Sequence, residues 1–459
     1  MKKQIKDGFP LFKKRSLNII FFILIVISSL FFVRQQFVKG QDRANDSILL
    51  NHEKEPHFWV ISDNHFYSDD LFEDSERFRK FEATTIGTDI RYTTQVLTAF
   101  VQKALDEKPT GIIITGDTTL NGEKRSLEHM TEIFEPLSAA GIAVLAIPGN
   151  HDIYNGWARK FINGQQITEH QISPIDFKQA FSDGYQMSQS EDKASLSYVV
   201  DLKEYRLVML DSNIYPERFS KMEPITKGKL SEKTLEWLEK ILIEAQMIKK
   251  TPILFMHHNL LAHNEAVTEG FVLDNADQLL RLVEQYNVPL AMTGHIHLQN
   301  IMQDSKNPNF YEISTSSFST AGNHIGHLKL QDNKISYEVE AFDPRPYFTE
   351  KQLENSDLSQ YPEFLANKYR QVGEKMAMNF LIQSGIEEDA ASLAKMVGEA
   401  KLRYFTGNNL LSEMEKEAIY HDPRYQILKE FAPSLSLSVE NSVEDSNIPN
   451  NHSIVIEIQ

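Results

Sequence analysis

Ala143-Val144-Leu145-Ala146-Ile147-Pro148-Gly149-Asn150-His151-Asp152 joins two kinds of pattern. Its first half is a short apolar run, as expected of a strand buried on both faces. Its second half sets an amide, an imidazole and a carboxylate directly behind that strand. Four more segments repeat the arrangement. Phe58-Trp59-Val60-Ile61 leads to Asp63-Asn64-His65, and Ile112-Ile113-Ile114 leads to Gly116-Asp117. Ile253-Leu254-Phe255-Met256 leads to His257-His258, and Pro289-Leu290-Ala291-Met292 leads to Gly294-His295-Ile296-His297. In α/β architectures the carboxyl ends of strands are where sites form, and here every chemistry-bearing motif falls at such an end.

Between these runs the spacing turns helical. Residues 89–107 place Val96, Ala99, Phe100 and Ala104 on one face, and 126–140 and 233–248 repeat the pattern. Ser231 ahead of Thr234 and Leu235 predicts a helix start, with Trp237 and Leu238 facing inward. Residues 196–202 and 205–210 read as two further strands, and 310–317 and 327–341 as closing strands. Alternating strands and helices predict a layered α/β body. Asp343-Pro344-Arg345-Pro346 punctuates the chain. Beyond it, 361–384, 388–401 and 410–431 carry apolar residues three and four apart, which predicts a small helical domain. The expected order is a basic segment over 1–15, a transmembrane anchor over 16–34 and a linker over 35–55. An α/β domain over 56–343, a helical domain over 344–433 and an acidic polar tail over 434–459 follow. The tail includes a strand-like run over 454–458.

The chain has 459 residues and a net charge of −17. Its first 15 residues carry six Lys/Arg and one Asp, a local +5, so the remainder carries −22. A body that acidic repels a polymeric nucleic acid unless a basic groove offsets it, and no run of Lys and Arg supplies one. With no cysteine, disulfides, thiolate ligands, a thiol nucleophile and an N-terminal lipidated cysteine are excluded. Within 17–33 only Asn18, Ser28 and Ser29 are polar, near the lower length limit for crossing a bilayer. Lys13, Lys14 and Arg15 precede the run, so the positive-inside rule puts the N-terminus in the cytoplasm and the body outside. The exit Phe31-Phe32-Val33-Arg34 lacks the small residues of a cleavage site, which favours an uncleaved signal anchor. A single-pass protein of the cell membrane with an extracytoplasmic body is expected.

Imidazole and carboxylate donors suit Zn, Mn, Fe or Ni better than Ca or Mg. Asp117 could bridge two ions through its two oxygens. Two ions about 3.5–4 Å apart clamp an in-line displacement at phosphorus and ionise the attacking water.

The series Asp-x-His, Gly-Asp, Gly-Asn-His-Asp, His and Gly-His-x-His resembles the calcineurin-like metallophosphoesterases. It is most similar to their bacterial branch of cyclic-nucleotide-phosphodiesterase-like enzymes, and the likeness covers about residues 57–342. The resemblance implies a four-layer α/β/β/α sandwich, here with the small C-terminal helical domain. It implies two divalent or trivalent ions (Mn, Fe or Zn), one held by Asp63, His65 and His297 and the other by Asn150, His257 and His295, with Asp117 between them. His258 would then be a neighbour. His151 is not a ligand in the family; it faces the substrate, steadying phosphoryl oxygens or protonating the leaving oxygen. The implied reaction is hydrolysis of a small phosphodiester; the resemblance favours a cyclic nucleotide, and the expected location favours a glycerol- or sugar-linked ester.

One departure stands out. The protein phosphatases of this superfamily carry Gly-Asp-x-x-Asp-Arg-Gly, whereas here Leu120 and Asn121 replace the acidic and basic residues. This argues against a phosphoprotein substrate and leaves His151 without a side-chain partner except Asp152. Tyr154, Trp157, Arg159 and His324 are the candidate substrate contacts, Arg159 for a phosphate. Asp211-Ser212-Asn213 would support the site from behind. His52, His129, His170 and His452 sit in polar surroundings and read as solvated. The competing readings are a phosphomonoesterase acting on nucleotides, a repair-type nuclease, and a binding module that uses metal only for structure. Nothing in the sequence selects an oligomeric state.

Overall fold

The computed structural model describes residues 55–265, 267–443 and 450–458. The basic segment, the apolar run over 17–33 and all but the last residue of the linker lie outside them. Among the described residues no helix is long and apolar enough to cross a membrane.

In chain order the first strands are β1 (His57–Ile61), β2 (Gly111–Ile114), β3 (Ala143–Ala146), β4 (Arg159–Ile162), β5 (Gln165–Thr168), β6 (Ser190–Glu191), β7 (Tyr198–Asp201) and β8 (Tyr205–Leu210). They are followed by β9 (Thr251–Met256), β10 (Leu290–Thr293), β11 (Asn300–Gln303), β12 (Tyr311–Ser314), β13 (His324–Gln331), β14 (Lys334–Ala341) and β15 (Ser453–Glu457). Two sheets carry the body. One runs β15-β14-β13-β1-β2-β3, the other β11-β12-β10-β9-β8-β7-β6, and β4 pairs with β5 in a separate hairpin. Within the first sheet β1, β2 and β3 are parallel. Within the second β8, β9, β10 and β12 are parallel.

Side chains alternate across a strand, and here both faces are covered. Trp59, Ile61, Ile112 and Ile114 pack under the helices Thr93–Glu107 and Lys124–Ala139, against Val96, Phe100, Leu127 and Phe134. The alternate residues Phe58, Val60, Ile113 and Leu145 are also fully buried. The sheets are tied by Tyr198, whose hydroxyl donates to the Ala146 carbonyl (3.1 Å), and by Tyr205, which donates to the Gln331 carbonyl (2.5 Å). Helices Glu232–Met247 and Ala276–Gln285 connect strands of the second sheet and bury Leu238, Leu242, Leu279 and Val283. The architecture is the expected α/β/β/α sandwich. Its consequence is that parallel strands of both sheets end on the same side, where the motifs follow.

The C-terminal region is helical, as expected. Helices Tyr361–Gln383 and Ala390–Phe405 share a core of Ala377, Leu381, Leu393 and Val397 with Tyr425, Leu428 and Val439. Tyr361 also ties the region to the body, its hydroxyl donating to Asp89 Oδ2 (2.9 Å).

Several boundaries differ from the sequence reading. The helix expected over 410–431 is two, Glu413–Tyr420 and Pro423–Phe431. Pro423 has no N–H to continue the first, and Asp422 caps the second by accepting from Arg424 N–H. The strand expected over 327–341 is the hairpin β13–β14, turning at Asp332-Asn333. The expected tail over 434–459 is not loose throughout: helix Pro433–Asn441 runs into it, and Ser453–Glu457 adds an antiparallel edge strand to β14. The helix Ala276–Gln285 and the β4–β5 hairpin had no sequence expectation.

Candidate metal centre

The site begins where the strands stop. Asp63 and His65 follow β1, Asp117 follows β2, Asn150 follows β3, His257 follows β9, and His295 and His297 follow β10. Asp63, His65, Asp117, His295 and His297 all hold positive φ, between 41° and 69°. A residue other than glycine held there carries strain of about 1–3 kcal/mol and persists only where its surroundings over-determine it. The restraints are backbone bonds between the turns: Asp63 N–H to the Gly116 carbonyl and His65 N–H to the Asp117 carbonyl, both 3.0 Å. The motif glycines answer to crowding. A Cβ on Gly149 would lie 2.2 Å from Asp117 Oδ1, and one on Gly294 would lie 1.9 Å from Ser62 Oγ.

Two groups of donors converge, Asp63 with His65 and His297, and Asp117 with His257 and His295. In the first, His65 Nε2 lies 3.0 Å from His297 Nε2, which is 3.3 Å from Asp63 Oδ1. In the second, His257 Nε2 lies 3.5 Å from Asp117 Oδ2 and 3.1 Å from Asn150 Oδ1. Asp117 Oδ2 is also 3.8 Å from His65 Nε2, so one oxygen faces both groups. The other oxygen, Oδ1, accepts the His151 backbone N–H at 2.8 Å.

The chemistry of this set fits cations. A carbonyl only accepts, so His257 Nδ1, at 2.9 Å from the Thr115 carbonyl, carries its ring proton and leaves Nε2 for the centre. His295 Nε2 lies 3.0 Å from both the Thr226 and Gly270 carbonyls, which leaves Nδ1 for the centre. Fixing a ligand's tautomer through its far nitrogen is the usual support of a metal site. Burial pushes His65 and His295 down to about 3, so both are neutral. Burial also acts against charge on Asp63, but the His297 charge and hydrogen bond prevail and hold it at about 2. At Asp117 and His257 burial again opposes charge, yet their mutual attraction wins. The Asp117 carboxyl falls well below its ordinary range and the His257 imidazole rises to about 9. Ionised carboxylates at 0% and 1% exposure call for positive charge at the centre, which the protonated His257 supplies here and which an ion would supply on displacing that proton.

His151 stands beside the first group, its ring 5.2 Å from that of His65 and nearly perpendicular to it. Its Nδ1 lies 2.8 Å from the Leu120 carbonyl and 3.2 Å from Asn121 Oδ1. The carbonyl at 120 and the amide of Asn121 therefore orient the ring. Asp152 does not touch the His151 ring, which corrects its reading as that ring's partner. Its carboxylate is consumed by the N–H and hydroxyl groups of Thr118 and Thr119 and by Gly149 N–H, at 2.7–3.1 Å. It ties the second motif to the third.

The other expected contacts scatter. Arg159 lays its guanidinium 5.6 Å from the Phe81 ring and 5.9 Å from the Trp157 ring and donates to the Trp157 carbonyl. It reaches neither donor group. Trp157 is 41% exposed, and half-buried Tyr154 meets Phe219 at 5.2 Å. His324 is buried and bonded to Ser316 Oγ at 2.7 Å. His258 bonds Ser212 Oγ and the Thr226 carbonyl, a neighbour as expected. Asn213 donates to the Pro148 carbonyl (2.6 Å), bracing the third motif. Sequence reasoning missed Ser62, Ser317 and Ser319, which bond the Asp63 carboxylate and carbonyl, because single serines carry no pattern.

Glu123 was also unforeseen. It is fully buried; Oε2 accepts the Asn121 N–H at 2.8 Å, and Oε1 has no partner among the described residues. Burial pushes its carboxyl up to about 8 from 4.5. Between those values the folded chain holds a proton that the unfolded chain has lost. Stability therefore falls as pH rises from 4.5 to 8, by up to about 5 kcal/mol. Glu123→Gln is expected to match the wild type near pH 5 and to exceed it at pH 8–9. Urea denaturation at both pH values measures the difference.

Residues 56–299 match the calcineurin-like phosphoesterase family, and residues 343–447 match the C-terminal domain of cyclic nucleotide phosphodiesterase. No curated protein matches the chain. Among solved structures the chain is similar to a dimetal phosphatase from Danio rerio, with 16% identity over 62% of this chain and 95% of that one (TM-score 0.45). It is similar to purple acid phosphatase PPD1 from yellow lupin, with 14% identity over 63% of this chain and 52% of that one (TM-score 0.39). It is also similar to GAP50 of Plasmodium, with 13% identity over 62% of this chain and 84% of that one (TM-score 0.37). The first match takes in more than half of the sequence, and the chain belongs to the calcineurin-like phosphoesterase family.

Proposed function

We propose that this phosphoesterase is a dinuclear metal-dependent phosphodiesterase acting on a small diester, a cyclic nucleotide or a glycerol- or sugar-linked phosphate. The observation that carries the reading is Asp117 Oδ2, set between two groups of lone-pair donors and beside His151. Asp63, His65 and His297 would hold one ion, Asn150, His257 and His295 the other, with Asp117 shared. Mn, Fe and Zn suit these donors. When bound, such ions supply Lewis acidity to a phosphoryl oxygen and to the attacking water.

The chain's own residues do the rest. The Leu120 carbonyl holds the proton of His151 on Nδ1, so Nε2 is the atom that meets substrate. As an imidazolium, His151 gives its Nε2 proton to the leaving oxygen. The backbone N–H of the same residue pins Asp117 Oδ1, which couples the placement of the proton donor to that of the shared carboxylate.

A diester is favoured over a monoester by one feature. Residues 343–447 match a domain described from cyclic nucleotide phosphodiesterase. We assign the apolar run over 17–33 to a single-pass anchor that holds the catalytic domain, 56–343, and the helical domain, 344–433, outside the cytoplasm.

The test is a paired assay on chelated protein with Mn²⁺ added back. Bis-p-nitrophenyl phosphate is expected to give kcat/KM at least about tenfold above p-nitrophenyl phosphate. The reverse preference makes the chain a phosphomonoesterase. No turnover of either ester leaves a metal-stabilised binding module.

A further inference from the structure

The helical region and the last strand meet the body next to the Gly294-His295-Ile296-His297 motif, through a buried polar junction. At its centre is Asn451, 4% exposed and 154 residues beyond His297 in sequence. Its Oδ1 accepts from Asn300 Nδ2 (2.9 Å) and from the Ile301 backbone N–H (3.0 Å). Its carbonyl accepts from Gln299 Nε2 (2.9 Å), and its Nδ2 donates to Asn409 Oδ1 (2.9 Å), in the segment after helix Ala390–Phe405. The Phe405 carbonyl accepts Gln299 N–H at 3.0 Å. Body, helical region and final strand are thus pinned to one short segment directly behind His297.

Polar contacts continue inward, by a hydrogen bond to His263 and then by a longer charge contact. Asn300 Oδ1 lies 2.7 Å from His263 Nδ1, and His263 Nε2 lies 3.5 Å from Glu312 Oε2. Tyr404 of the helical region donates to the His263 carbonyl at 3.1 Å. Glu312, fully buried in β12, accepts the backbone N–H groups of Leu260 (2.8 Å) and Leu261 (2.6 Å) and the Thr293 hydroxyl (2.9 Å). Leu260 is three residues past His257, and Thr293 is two before His295. The path from Asn451 therefore ends on the two turns that carry the histidines of the second donor group.

We infer that Asn451 is a positioning residue for the His257/His295 metal site, and that the C-terminal region sets that site's geometry through the relay Asn300, His263 and Glu312. A junction placed only to fasten two bodies together would be served by apolar packing; this one buries polar groups at a cost, and His263 Nε2 has no hydrogen-bond partner among the described residues. Its bonds fix the backbone N–H groups of Ile301, Leu260 and Leu261, each within four residues of His297 or His257. The inference rests on the proposal that His257 and His295 hold an ion.

The experiment uses the full chain in detergent, stripped by chelator and titrated with Mn²⁺ in a calorimeter. Asn451→Ala and His263→Leu each cut the relay at a different point. Ile456→Val, a buried change in β15 outside the relay, controls for loss of packing. Uptake of one of the two ions is expected to weaken about tenfold in both relay variants. The other ion is unaffected, and Ile456→Val behaves as wild type. For the diester, kcat falls while KM holds. Uptake by folded Asn451→Ala within about twofold of wild type overturns the proposal. Should that variant fail to fold, unchanged uptake by His263→Leu overturns it equally. Absence of uptake by the wild type sinks the metal reading itself, a result distinct from either.

Discussion

Asp117→Asn is expected to leave a folded protein that binds fewer than two ions and loses about 10⁴-fold or more in turnover. The carboxylate is 1% exposed and sits at positive φ, with one oxygen accepting the His151 N–H and the other 3.5–3.8 Å from imidazoles of both donor groups. Asparagine matches it in shape, so Oδ1 still receives the His151 N–H and the turn survives. What changes is the face toward the centre, where a charged oxygen becomes an amide NH₂. A donor then points into a cluster of lone pairs, and the negative charge shared by both ions is gone. Each ion loses charge compensation as well as a ligand, so the effect exceeds that of a single donor to one ion, and loss of metal assistance removes the largest electrostatic contribution to the reaction. Elemental analysis gives the metal-to-protein ratio, and kcat/KM on the diester gives the rate. Two ions per chain with turnover within tenfold of wild type would remove Asp117 from the centre.

The reach of sequence reasoning followed the kind of atom involved. The five motifs were legible because the groups that meet at the centre are side chains of distinctive type, each set immediately behind an apolar run that can only be a buried strand. The strand ends then placed His65 3.0 Å from His297 across 232 residues of sequence. What was not legible is made largely of backbone. The Leu120 carbonyl that orients His151, the Thr115, Thr226 and Gly270 carbonyls that fix ring tautomers, and the N–H that occupies Asp117 Oδ1 belong to residues whose identities say nothing of those roles. Hence Asp152, the nearest carboxylate in sequence, was the natural candidate for His151. Its side chain instead faces Thr118, Thr119 and Gly149.

The C-terminal elements show the same division. Helical spacing placed Tyr361–Gln383 to within a residue, since its inward face is apolar along its whole length. The break at Asp422-Pro423 was hidden by apolar residues that continue on both sides of it. The polar stretch before β15 read as loose because Asn and Ser dominate it. Asn451 and His452 there are held by partners distant in sequence; His452, taken as solvated, lies 3.1 Å from the Thr406 carbonyl. Composition describes what a residue prefers on average, and it carries no information on which partner the fold brings to it.

His151→Ala is expected to keep both ions and lower kcat by about 10²–10⁴-fold. Metal content should hold because the contact that matters to Asp117 is the backbone N–H of residue 151, which alanine retains, and the ring is not in either donor group. The size of the rate loss should depend on the ester. If the Nε2 proton goes to the leaving oxygen, a leaving group of low pKa such as p-nitrophenolate needs it little, and an alkoxide needs it fully. The deficit should therefore be near the bottom of that range for bis-p-nitrophenyl phosphate and near the top for a dialkyl or cyclic phosphate. If His151 instead steadies charge on the non-bridging oxygens, the deficit should be the same for all of them, since those oxygens carry similar charge in each transition state. Measuring kcat for wild type and His151→Ala over a series of diesters of graded leaving-group pKa separates the two roles. A widening gap assigns proton transfer, a constant gap assigns electrostatic support, and no gap removes His151 from the reaction.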